Sequence, residues 1–245
     1  MTVPTAQVIR HDDAQDLARR TGQRLLDTLI AQQADGHVPH LSLAGGRIAM
    51  AAYAEFVELV PGSQVDPSRL ELWWSDERFL PADDPDRNAG PALAVLARGF
   101  ALDPARTHPM PSADGIIDAG ASAATYAKEL GDTAFDLCLL GMGPDGHVAS
   151  IFPAHPSSEP TNQPVIGVSD APKPPPERIS LTVSRMNTSA EIWVVVNGAE
   201  KANALSRALA GDDKLPAAHV RAQGRTLWLV DEAAAQQLPY FECSL

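Results

Sequence analysis

Long apolar runs are missing from this chain. No stretch approaches the ~18 residues needed to cross a bilayer. Residues 1–12 carry no basic flank followed by an apolar run, so no secretory leader is expected. Cysteine is scarce, with two in 245 residues. Cys138 lies inside an apolar run, as a buried structural thiol would, and Cys243 lies near the C-terminus. A disulfide or a catalytic cysteine pair is not expected, and the cytoplasm is the consistent compartment. No internal repeat is visible, nor a linker long enough to separate two domains, so residues 1–245 are expected to form one domain. No His/Cys/carboxylate cluster has zinc-ligand spacing, and no metal is expected. Basic residues are outnumbered, 19 against 31, for a net charge of −12. That field repels nucleic acid and anionic membrane at long range. Any site for an anionic metabolite must therefore be locally positive.

What is present is an alternation of strands and helices. Residues 14–30 place apolar groups at helical spacing, at Leu17, Ala18, Leu25, Leu26, Leu29 and Ile30, and Gly36 follows as a stop. Residues 40–44 read as a short strand, broken by Gly45 and Gly46, and 48–59 as a helix. Residues 70–74 read as a strand, 93–100 and 119–130 as helices. Residues 135–140 form a nearly unbroken apolar run, the mark of a strand covered on both faces. Strands at 179–183, 192–196 and 226–230 and helices at 199–209 and 231–237 complete the pattern. The alternation predicts an α/β fold: one mostly parallel sheet with helices on both faces and right-handed crossovers. The proline cluster at 171–176 reads as a stiff, extended loop.

Ligands of open α/β sheets bind beyond the carboxyl ends of the strands. Four segments there could carry chemistry. Gly45-Gly46-Arg47 lies between a strand and a helix, where backbone N–H groups can meet an anion; as a sequence alone it is equally a plain tight turn. Asp76-Glu77-Arg78 ends a strand with three ionisable residues, which solubility explains poorly. Gly141-Met142-Gly143-Pro144-Asp145-Gly146-His147 follows the apolar run. Its glycines match the dinucleotide fingerprint G-x-G-x-x-G, but that motif needs a helix after the third glycine. Pro153, Pro156 and Pro160 limit any such helix. Asp145 would also place a carboxylate near two phosphates. A turn that presents His147, with an aspartate nearby to orient it, is the better reading, and His147 becomes a general-base candidate. The last segment supplies scattered cations. Arg178 opens a strand, and Lys201 sits in the first turn of a helix against its dipole, a small cost that a bound anion would offset.

Together these segments resemble the glucosamine-6-phosphate isomerase/6-phosphogluconolactonase family over nearly the whole chain. The most specific pieces are Asp76-Glu77-Arg78 followed by Asn88, and Gly141 through His147 followed by Ala149-Ser150-Ile151-Phe152-Pro153. The deaminases of the family usually continue the Asp-Gly-His segment into Asn-Glu-Pro, and usually carry Asp-Glu-Tyr in place of Asp76-Glu77-Arg78. Both differences place this chain nearer the lactonases. The resemblance implies a Rossmann-like fold, no cofactor, and a phosphorylated sugar lactone as the small-molecule partner. It implies that His147 deprotonates water, that Arg178 and Lys201 hold a phosphate, and that Gly45 and Gly46 add backbone donors. Ala44 and Arg47 stand where the family commonly has small hydroxyl residues, so Arg47 is a candidate to supply charge instead.

The expected chemistry is then hydrolysis of 6-phospho-D-glucono-1,5-lactone in the oxidative pentose phosphate pathway. Asp145 or a nearby carbonyl would orient His147. Arg78 or the N–H groups of the Gly141, Gly143 and Gly146 turn would face the oxyanion. Asp76 belongs to the site without a fixed role. A monomer or weak homo-oligomer is expected. The rival readings are a deaminase with Asp76 as the proton-moving base, a non-enzymatic sugar-phosphate sensor, and a dinucleotide oxidoreductase.

Overall fold

The computed structural model describes residues 6–116 and 118–239; Cys243 lies outside them. In chain order the elements are β1 (Gln7–His11), α1 (Ala14–Gln33), β2 (His40–Leu43), α2 (Arg47–Leu59), β3 (Glu71–Trp74), β4 (Asp76–Arg78), α3 (Ala89–Leu96) and α4 (Ala119–Leu130). They continue with β5 (Leu137–Gly141), β6 (Val165–Val168), β7 (Arg178–Leu181), α5 (Val183–Met186), β8 (Glu191–Val196), α6 (Ala202–Leu209), β9 (Arg225–Asp231) and α7 (Glu232–Ala235). A single 3-10 turn, Ala199–Lys201, leads into α6.

The main sheet has six strands in the order β1-β9-β8-β5-β2-β3, and every pairing in it is parallel. Burial explains the composition of its centre. Leu137 to Leu140 and Ile192 to Val196 are all buried, so both faces of β5 and β8 must be apolar. Right-handed crossovers put α1 and α2 on one face and α4 and α6 on the other. Helix α1 starts where the side chain of Asp13 accepts the N–H of Asp16, and it turns Leu17, Leu25, Leu26 and Leu29 into the core.

Three expectations are corrected. The strand near 179 is β7, and it leaves the main sheet. It forms the middle of a small antiparallel sheet, β4-β7-β6, and Val183 already belongs to α5. Helix α3 starts at Ala89, not near 93. The 171–176 segment is folded rather than extended, and its cause is given below.

Strand order fixes where a site can be. From β2 the chain moves through α2 to β3, on one side. From β5 it moves to β8, on the other. β2 and β5 are neighbours whose connections diverge, so a crevice opens between their carboxyl ends. The glycine pair follows β2 and the glycine-rich turn follows β5.

Glu77 braces this edge. It is fully buried (0% exposed), and its carboxylate accepts the N–H groups of Arg78 (2.7 Å), Asn88 (2.6 Å) and Ala89 (2.9 Å). Arg87 lies 3.6 Å away. Burial pushes its carboxyl up, against those hydrogen bonds and the Arg87 charge. Glu77→Ala strands three donors and leaves the buried Arg87, which keeps the carbonyls of Leu80 and Met110, without its counter-charge, and is expected to cost about 3–5 kcal/mol. Denaturant unfolding reads this as a lower midpoint at unchanged slope.

Candidate active site

The crevice is a cavity of about 470 Å³. Gly45, Gly46 and Arg47 line it from the β2–α2 turn, and Asp76, Arg78 and Asn88 from the β4 region. Gly141, Gly143 and His147 come from the turn after β5, and Lys173, Arg178 and Lys201 from the later chain. Five cations line it, Arg47, Arg78, Lys173, Arg178 and Lys201, against the carboxylates of Asp76 and Glu200. In a chain of net charge −12 this is the locally positive patch that an anionic ligand requires. A larger groove of about 770 Å³ runs beside β1 and α1, but its Arg19 and Arg20 are paired with Asp16 and none of the glycine turns reaches it.

Gly46 adopts φ +95 and caps α2 without a side-chain hydrogen bond, so the first N–H groups of α2 are open to the cavity. Tyr53 holds this turn from inside α2, its hydroxyl donating to the Ala44 carbonyl and accepting the Ala44 N–H. Next to it, a Cβ on Gly45 would overlap the Asn88 side chain.

The turn after β5 is closed on itself. Gly143 N–H donates to the His147 carbonyl and Gly146 N–H to the Gly143 carbonyl, both at 3.0 Å. Neither is free for an oxyanion, which corrects the expectation for that pair. Asp145 and Gly146 also do not line the cavity directly. No helix follows Gly146; the chain makes a turn and only a short 3-10 segment at Pro156–Ser158, so a pyrophosphate would find no helix end there.

What the turn does is aim His147. A Cβ on Gly143 would fall 2.0 Å from the imidazole Cε1, so only glycine lets the ring lie there. His147 Nδ1 is 2.6 Å from Asp145 Oδ1, and the Phe152 ring stands beside the imidazole at 4.8 Å. A carboxylate can only accept, so Nδ1 carries a proton, and whenever the ring is neutral its lone pair is on Nε2. Burial alone would raise the Asp145 carboxyl; hydrogen bonds and charge from His147 and Lys173 outweigh it and hold it far below the usual carboxylate range.

Asp76 is held differently. Its Oδ2 accepts from Ser150 Oγ at 2.7 Å, and its Oδ1 from Asn88 Nδ2 at 3.2 Å. Both oxygens are engaged. Arg78 donates to the Asp86 carbonyl with one end of its guanidinium. Arg178 is buried (5% exposed), and burial lowers its affinity for the proton. Much of its fork is occupied by the carbonyls of 173–175. The Lys201 ammonium has no hydrogen-bond or ion-pair partner among the described residues, and burial pushes its pKa down, with Glu200 and Asp231 opposing. A desolvated cation without a partner gains strongly from an anion. Its loop is fixed by Asp231, which accepts the Gly198 N–H on both carboxylate oxygens at 3.1 Å.

Lys173 is the residue that the sequence reading missed. Its Nζ lies 3.2 Å from Asp145 Oδ1. The only signal was a lone lysine inside the proline cluster. Among the described residues, no three His, Cys, Asp or Glu side chains come together to hold a metal ion, and no helix is long and apolar enough to cross a membrane.

Sheet order and cavity define an α/β protein of the parallel, doubly wound class, with a cation-lined cleft and a histidine–aspartate pair at its switch point. Comparison with known proteins narrows this. Residues 12–228 match the model of the family described as glucosamine-6-phosphate isomerases/6-phosphogluconolactonase, and the chain belongs to that family. A protein of Streptomyces coelicolor named 6-phosphogluconolactonase is 43% identical, over 96% of this chain and 95% of that protein. The crystal structure of 6-phosphogluconolactonase from Thermotoga maritima superposes with a TM-score of 0.82 at 26% identity, covering 93% of this chain and all of that one. A monomeric glucosamine-6-phosphate deaminase shares the fold, with a TM-score of 0.78 at 20% identity over 94% of this chain and 99% of that one.

Proposed function

We propose that this chain, with residues 1–245 as one catalytic domain, is a 6-phosphogluconolactonase, opening the lactone ring of a phosphorylated sugar acid in the oxidative pentose phosphate pathway. One observation carries the reading: His147, with Nδ1 on Asp145 and Nε2 unengaged, lines the same cavity as the unpartnered Lys201. Lysine and imidazole then serve opposite ends of one substrate. Lys201, Arg47 and the first N–H groups of α2 hold the phosphate, with the remaining guanidinium N–H groups of Arg178. Anchoring there positions the reacting carbon near His147.

The steps balance without a cofactor. Water attacks the lactone carbonyl carbon as its proton passes to His147 Nε2. The carbonyl oxygen becomes an oxyanion facing Arg78. The intermediate collapses, the bond from carbon to ring oxygen breaks, and the imidazolium returns its proton to that oxygen. The carboxylic acid product ionises and releases one proton to solvent.

Deaminase chemistry would need Asp76 to shuttle a proton; here its carboxylate is tied to Asn88 and Ser150, and each oxygen keeps a further lone pair, so the choice between the readings falls to activity. The two readings separate in one assay pair. Freshly made 6-phosphogluconolactone should release protons faster than its spontaneous opening when the protein is added, and glucosamine-6-phosphate should release no ammonia. Ammonia release with no acceleration of lactone opening would reverse the assignment.

A further inference from the structure

Lys173 is a cation for which the lactone chemistry above has no use. Its segment is folded because Arg178 holds it. From β7, Arg178 Nε donates to the Pro175 carbonyl (2.7 Å), and Nη2 to the carbonyls of Lys173 (3.1 Å) and Pro174 (2.9 Å). Three carbonyls on one buried guanidinium fix the backbone that carries the Lys173 side chain. Nζ then lies 3.2 Å from Asp145 Oδ1 and 3.3 Å from His147 Nδ1. The same Oδ1 is 2.6 Å from Nδ1. An ammonium has only hydrogens to offer. With the Nδ1–H already donated to Asp145, Lys173 faces the ring as a charge and not as a hydrogen-bond partner.

The sign of the effect follows. A carboxylate behind an imidazole favours the imidazolium, and an imidazolium cannot accept a proton from water. A phosphate dianion in the cavity adds to that pull. Lys173 opposes both, by its own charge and by sharing the oxygen of Asp145. Asp145 and Lys173 are the charged groups in contact with the ring. Arg47, Asp76, Arg78, Arg178, Glu200 and Lys201 line the rest of the cavity.

We infer that Lys173 is a positioning residue for lactone hydrolysis: latched by Arg178, its ammonium shares Asp145 with His147 and keeps the imidazole neutral, and so able to act as base, at lower pH than Asp145 alone would allow. This rests on the reading of His147 as general base. A role in packing alone would lower kcat without moving the pH profile. A role in the charge of the ring moves the profile.

The test compares kcat/KM against pH for wild type, Lys173→Met, Lys173→Gln and Lys173→Arg, with the ring nitrogens of His147 followed by NMR in the ligand-free proteins. In Lys173→Met the acidic limb and the ring titration should both move to higher pH by about one unit. On the acidic limb this is a loss of about tenfold beyond any loss at the plateau. Lys173→Arg should restore the limb. If Lys173→Met does not fold, Lys173→Gln carries the same expectation. An acidic limb and ring titration that stay in place, or move to lower pH, overturn the inference. His147→Ala separates the two levels. Lost activity there together with an unmoved limb in Lys173→Met removes only Lys173. Retained activity in His147→Ala removes the general-base reading, and this inference with it.

Discussion

Replacing His147 with alanine is expected to lower kcat by ~10²–10⁴-fold, the range for loss of a positioned general base. The imidazole is the one group in the cleft with an unengaged basic nitrogen beside an orienting carboxylate. The side chain is partly exposed and supports no buried hydrogen-bond network besides its contacts with Asp145 and Lys173, so the fold should survive. Circular dichroism and the unfolding midpoint should stay near wild type while turnover falls. Activity within a few-fold of wild type would remove His147 from the chemistry.

The second large effect lies at the other end of the cavity. Lys201→Ala should reduce kcat/KM for the phosphorylated lactone about 10- to 100-fold, the equivalent of one charge-assisted contact at about 1.5–3 kcal/mol. Most of the loss should appear in KM, since the contact is made in ground and transition states alike. The same variant should treat unphosphorylated gluconolactone much as wild type does. Substrate comparison is the informative part, because a distorted cleft would impair both lactones equally. Equal losses on the two would place the phosphate elsewhere.

Some of this was legible in the chain because it is local. The glycine turn after an apolar strand and the histidine that ends it are set by nearby residues, as are the glycine pair and the N-terminus of α2. The apolar runs of β5 and β8 reflect burial on both faces. What escaped was set at a distance. β4 is three charged residues, Asp76-Glu77-Arg78, and is a strand because β7 pairs with it. α3 starts early because Glu77 accepts the N–H groups of Asn88 and Ala89, a cap from eleven and twelve residues back that no local motif announces. β1 is an edge strand with little apolar content. The proline cluster is bent by Arg178, and that bend brings Lys173 to Asp145. The adjacency of β2 and β5, which makes the crevice, is a property of strand order alone.

The account stands on a single substrate lying across the cleft, phosphate towards Lys201 and acyl carbon towards His147. A crystal structure with 6-phosphogluconate bound tests this most directly. The product carboxylate should lie within hydrogen-bond reach of His147 Nε2, about 2.6–3.2 Å, with the phosphate at the start of α2 beside Lys201 and Arg47. A phosphate seated against His147, or a product bound outside this cleft, would contradict it.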